Sequence, residues 1–189
     1  MTVPPGATDR MAAGMTYREG LTAGVFGAAA LLLPLLFHIL QLGHVFMPMY
    51  IPLVALAFYA PASVSATTSF LVPLLSSGLT GMPPTYPPVA PIMAIELALV
   101  AWVIGTAWRR WPALPALAIL SPVLVAGRVL HVGLVYAASA AMNLPAGFLA
   151  GVSVLTGWPG VLLMVVVIPV LLRVRPPGRT PSQAGTARP

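Results

Sequence analysis

A chain of 189 residues with 59% hydrophobic and only 6% charged side chains cannot clothe itself in a water-facing surface, because soluble domains carry about 25% charged residues. With a mean hydropathy of +0.96, the composition excludes a soluble enzyme or binding domain and predicts an integral membrane protein. The absence of cysteine excludes disulfides, thiolate metal sites and cysteine nucleophiles.

The length accommodates about six spans of ~20 residues joined by short loops. Runs this apolar satisfy their backbone in lipid as helices, not as the alternating strands of a barrel. The chain opens on a polar tail, residues 1–19, that carries Arg10 and Arg18. The first span is expected over Leu21–Leu42, too long for a cleaved leader and without a small-residue cleavage site after it. Within it Ala23, Gly24, Gly27 and Ala28 form two overlapping pairs of small residues four apart. Their missing side chains let a second helix approach, either inside the bundle or from a partner.

Gly43 and Pro48 interrupt the apolar pattern, and two short runs follow, Tyr50–Ala60 and Ala62–Leu79, the latter with Pro73 inside. Short, proline-interrupted spans often line cavities in transporters. The stretch from Ser76 to Glu96 then holds five prolines, Pro83, Pro84, Pro87, Pro88 and Pro91. Proline lacks the N–H and disfavours helix before it, so Met82–Pro88 reads as a stiff extended connector, either a pocket wall or a plain chain reversal. Helix resumes near Val89 with Pro91 in its first turn, and the fourth span runs to Trp108. The fifth is expected over Leu114–Ala141 and the sixth over Gly151–Val174. A basic, Pro/Gly-rich tail, residues 175–189, closes the chain and is expected to be disordered.

All nine basic residues are arginines, and the chain's net charge of +6 would suggest nucleic acid in a soluble protein. Here they mark topology instead, and no nucleic-acid partner is expected. Six spans put Arg10, Arg18, Arg109, Arg110, Arg173, Arg175, Arg179 and Arg188 on one side, the cytoplasm by the positive-inside rule. The expectation is an all-α integral membrane protein of the cell membrane: a six-transmembrane-helix bundle over residues 20–174 with both termini cytoplasmic.

One acid and one arginine fall inside spans, Glu96 in the fourth and Arg128 in the fifth. A charge at the bilayer centre costs about 2.5–3.5 kcal/mol on insertion scales, and such groups are usually functional. Arg128 is long enough to reach Glu96 as an ion pair. At 100° per residue Ser121, Arg128 and Ser139 share a face, with His131 beside them and within reach of Arg128 at i,i+3. This stripe predicts a wet cavity in which Arg128 grips an anionic group through its planar fork; the other reading is a pair that only locks two helices. His38, Gln41 and His44 near the end of the first span suit pocket polarity or capping, being too loosely spaced and too poor in acids for a metal site. Tyr50, Tyr86, Tyr136 and Trp158 could stack on a flat ligand or anchor at the interface. No phosphate-binding GxxxxGK[ST] loop, HExxH or GxSxG is present, so no ATPase or hydrolase activity, metal or cofactor is expected.

The runs GHVFMPMYIPLVALAFYAP and PLLSSGLTGMPPTYPPVAPIMAIELA, with Ala126–Gly127–Arg128 further on, resemble the substrate-binding S components of energy-coupling factor (ECF) vitamin transporters. The resemblance spans about Gly43 to Val135, and TGMPP and MAxELA are its more specific motifs. It implies a small six-helix protein that binds a water-soluble vitamin or precursor near the outer side. It implies partners too: a transmembrane coupling subunit and two ATPases that supply the energy this chain does not. By the same resemblance Arg128, Glu96, His131, Tyr50, Tyr86 and His44 are candidate substrate-binding residues, and Ala23, Gly24, Gly27 and Ala28 are candidate contacts for the coupling subunit. Pantothenate, niacin-like acids and pyrimidine precursors all suit such a site. Three rival readings stand beside this one: a self-sufficient proton-coupled transporter using Glu96, a small membrane enzyme using His131 and Glu96 as acid and base, and a structural protein without a pocket.

Overall fold

The computed structural model describes residues 16–39, 48–86, 88–143 and 158–174. Among these residues the chain forms six helices and no strand: α1 Tyr17–Ile39, α2 Tyr50–Tyr59, α3 Ala62–Thr80, α4 Val89–Arg110, α5 Ala116–Met142 and α6 Trp158–Val174. Four of them, α1, α3, α4 and α5, are long and apolar enough to cross a membrane.

Most expected boundaries that fall on described residues agree to within two residues, whereas the expected end of the first span at Leu42, the start of the sixth at Gly151 and the 175–189 tail lie outside them. However, α1 starts four residues before the apolar run, so Tyr17, Arg18 and Glu19 belong to the helix and not to a tail. The cause is a reciprocal cap. Thr16 N–H donates to Glu19 Oε2 at 2.9 Å, and Glu19 N–H donates to Thr16 Oγ1 at 3.4 Å. Two N–H groups that the helix itself leaves without acceptors are thereby satisfied. At the far end of α3, Gly81 takes φ +73 and its N–H returns to Ser77 O. Glycine closes a helix in this left-handed state without steric cost.

The short helix α2 is the centre of the bundle. Pro52, Leu53, Val54, Ala55, Leu56, Ala57 and Phe58 are all buried, packed among α1, α3, α4 and α6. Ten residues at 1.5 Å each extend about 15 Å, half the hydrocarbon thickness. A helix wrapped by others need not span, because it meets no lipid. In lipid, packing rather than apolar transfer holds helices together. Accordingly the facing surfaces of α3 and α4 are built from small residues, Ser65, Ser69 and Ser76 against Ala90, Ala94, Ala101 and Gly105. Gly105 is required by close approach, since a Cβ there would lie 3.1 Å from Ala62 Cα and 3.3 Å from Ala57 O.

Cross-links identify which helix ends lie together. Arg109 Nη1 donates to Ala60 O at 2.8 Å and Tyr59 OH to Leu171 O at 3.4 Å, while the Phe26 and Tyr59 rings stack at 5.5 Å. The starts of α1 and α3 and the ends of α2, α4 and α6 therefore share one end of the bundle. Arg18, Arg109, Arg110 and Arg173 all sit at it. The connector from Met82 to Pro88 leads from α3 to α4 at the opposite end, and its described residues, 82–86 and 88, are non-helical, as its prolines require. It is tied down: Ser76 Oγ donates to Met82 O at 2.7 Å, and Ala90 N–H to Pro84 O at 3.0 Å.

Candidate functional site

Four buried polar side chains meet where α2 begins. α4 carries Glu96 about two turns inside its start, α5 carries Arg128 and His131 on its buried face, and α2 contributes its first residue, Tyr50. The α5 face is set by spacing: Leu124, Gly127, Arg128, His131, Val135 and Ser139 recur at three or four residues and are all buried. The carboxylate is 1% exposed, so each of its contacts is made in a low dielectric, where both partners and missing partners count for more.

Glu96 Oε2 accepts two hydrogen bonds, from the Tyr50 hydroxyl at 2.5 Å and from His131 Nδ1 at 2.7 Å. Arg128 Nη1 stands 4.0 Å from the other oxygen, Oε1. The arginine thus balances the carboxylate's charge at the edge of ion-pair range, while the close bonds come from the tyrosine and the histidine. A carboxylate has only acceptors, so in this arrangement Nδ1 is the protonated nitrogen of His131. His131 Nε2 is buried and has no hydrogen-bond partner among the described residues.

Gly127 makes the approach of α5 to α4 close enough for these contacts. A Cβ at Gly127 would lie 2.7 Å from Val100 Cγ2 and 3.7 Å from Glu96 Oε1. The first distance is inside van der Waals contact, so any side chain there must push the two helices apart or turn Val100 out of its rotamer.

The other expected site residues are placed as follows. Tyr86 is 68% exposed on the connector and is not part of the buried cluster. Tyr136 and Trp158 are also exposed, whereas Tyr50 is buried with its hydroxyl committed to Glu96 and is neither an interfacial anchor nor an open stacking platform. Gln41, His44 and the side chain of His38 lie outside the described residues. The small residues of α1 divide into two faces. Ala23 and Gly27 are buried, the Gly27 position facing Thr68 and Val72 of α3 at 3.6 Å, while Gly24 and Ala28 face outward with nothing within 4 Å of a Cβ at Gly24. Among the described residues no group of three His, Cys, Asp or Glu could hold a metal ion.

Comparison of the chain with models of known protein families, with characterised proteins and with solved structures finds no match.

Proposed function

We propose that the chain is a membrane-embedded substrate-binding subunit of an ECF-type importer, which captures a small water-soluble vitamin or precursor from outside the cell. The observation that carries this reading is the Tyr50–Glu96–His131–Arg128 cluster, assembled from three helices at the depth where α2 starts. Buried ionisable groups are expensive in lipid and mark solute or ion pathways. In this reading α2 begins inside the membrane and turns its N-terminal N–H groups and the positive end of its dipole toward the outer half of the bundle, as discontinuous transporter helices do. The motifs between Gly43 and Val135 that resemble S components support the same reading from the sequence.

In this mechanism both termini and the arginine-rich end face the cytoplasm. Arg128 binds an anionic or carbonyl group of the solute, and Glu96, braced by Tyr50, fixes the orientation of His131. The Met82–Pro88 connector with Tyr86, and the 42–50 turn with His44, close over the occupied site. Gly24 and Ala28, on the outward face of α1, meet the coupling subunit, while Ala23 and Gly27 hold α1 to α3.

Two measurements test the reading. Calorimetric titration of the detergent-solubilised protein against water-soluble vitamins and precursors is expected to give saturable binding of one compound, lost in a folded Arg128→Ala variant. Uptake of that compound by cells is expected to require co-expressed coupling and ATPase subunits and to survive a protonophore. Uptake by this chain alone, abolished by the protonophore, would instead establish a proton-coupled transporter.

A further inference from the structure

The cluster leaves one buried polar atom unused. His131 is 2% exposed, its Nδ1 is held by Glu96 Oε2 at 2.7 Å, and its Nε2 has no partner among the described residues. Leaving such an atom buried and unmatched is costly, and native proteins rarely do so without a reason.

The chemistry of that atom follows from its neighbours. Glu96 Oε2 already accepts the Tyr50 hydroxyl, and a carboxylate oxygen has only lone pairs to offer, so the imidazole nitrogen facing it supplies the proton. A neutral ring protonated at Nδ1 carries a lone pair at Nε2. In that neutral form, with Nδ1 bonded to Glu96, His131 is a buried hydrogen-bond acceptor at Nε2. Its position is also informative. Gly127 packs against Val100 and Glu96, and His131 lies four residues beyond it, about 6 Å further from the arginine-bearing end. Arg128, three residues before His131, lies on the same buried face with Cβ atoms about 5–6 Å apart. A guanidinium offers donors only. One helical turn of α5 thus presents a donor group and an acceptor atom side by side.

We propose that His131 Nε2 is a specificity-determining acceptor, so that the solute carries an N–H or O–H donor beside the anionic or carbonyl group taken by Arg128. This rests on the solute-binding reading above and narrows it. An acid whose remaining polar atom is a bare ring nitrogen, such as nicotinate, sets lone pair against lone pair. Acids with a ring N–H or a hydroxyl, such as orotate or pantothenate, satisfy both groups.

The test uses the full-length protein in detergent. Nitrogen NMR of ¹⁵N-histidine-labelled protein, with the His131 signals identified by their absence from a His131→Asn variant, is expected to show Nδ1 protonated and Nε2 bare. The opposite tautomer, or an imidazolium, overturns the inference whatever the protein binds. Calorimetry with orotate, 1,3-dimethylorotate, pantothenate and nicotinate then reads selectivity. The expected result is binding of a donor-bearing acid, with nicotinate and, for orotate, its dimethyl analogue at least about tenfold weaker, a difference of about 1.4 kcal/mol. His131→Asn can keep a donor toward Glu96 but has no atom at the Nε2 position, and it is expected to erase this preference. Equal binding of donor-bearing and donor-free acids by the unmodified protein overturns the inference and leaves solute binding standing. Binding of none of the four overturns the inference, and the wider titration of vitamins and precursors then decides whether the chain binds a solute.

Discussion

The Tyr50 hydroxyl and Glu96 Oε2, 2.5 Å apart, join the first residue of the central short helix to the fourth helix across 46 positions of sequence. The contact sets the height of α2 in the bundle, because a phenol buried in an apolar environment takes the partner within its reach. Tyr50→Phe keeps the ring and removes the donor. A hydrogen bond to a charged group contributes about 1.5–3 kcal/mol, and this variant is expected to lose that much in a reversible denaturant titration in micelles. Unchanged stability would show that the contact does not fix the helix.

Glu96 serves three partners at once, so its replacements should not be equivalent. Glu96→Leu strips the acceptor from Tyr50 and His131 and the countercharge from Arg128. Removing one member of a buried charged set costs about 3–5 kcal/mol, much of it from the charge left behind. Glu96→Gln retains a carbonyl acceptor and is expected to cost less. Adding Arg128→Leu to Glu96→Leu should restore part of the lost stability, because it removes the stranded cation. The double-mutant cycle is the measurement, and strict additivity of the two changes would show that Arg128 and Glu96 do not interact across their 4.0 Å.

Much of this cluster was legible in the sequence. Glu96 and Arg128 stood out as the ionisable residues inside apolar spans, and the 100° periodicity put His131 on the arginine's side of α5. Tyr50 was legible as a candidate but not as the partner of Glu96. Its role depends on α2 being wrapped by four helices, and no local period encodes which neighbours a ten-residue apolar run will find. The order of partners was hidden for the same reason. Opposite charges suggested Arg128 as the close partner of Glu96, whereas the packing of α2 and α5 brings a hydroxyl and an imidazole nearer. One local signal was passed over: Thr16–Glu19 is a capping pair three residues apart, and it places the start of α1 ahead of its apolar run.

Gly127 permits the approach that makes the cluster. Its Cβ position lies 2.7 Å from Val100 Cγ2, so Gly127→Ala must displace α5 from α4 or force Val100 from its rotamer. Overpacking of this kind costs about 1–3 kcal/mol. Val100→Ala in the same chain removes the colliding methyl groups and is expected to recover most of the loss. The pair therefore separates a steric effect from helix propensity, which on its own favours alanine over glycine. A Gly127→Ala variant as stable as the parent would mean that the two helices are not closely apposed at this level.

The two faces of α1 make opposite predictions for adjacent kinds of change. Gly27 faces Thr68 and Val72 at 3.6 Å. A leucine there has no room beyond its first carbon, and Gly27→Leu is expected to destabilise the isolated protein by about 1–3 kcal/mol. Nothing lies within 4 Å of a Cβ at Gly24, so Gly24→Leu is expected to leave the isolated protein's stability within about 0.5 kcal/mol. On the importer reading proposed above, its effect should emerge only when coupling and ATPase subunits are co-expressed. Small residues let a partner helix approach closely, and a leucine at Gly24 would hold that helix away. Co-purification of the coupling subunit should then fall, while solute binding by the isolated chain stays at the parental level. Full co-purification with Gly24→Leu would remove the outward face of α1 as the coupling surface and shift the search to the exposed faces of α5 and α6.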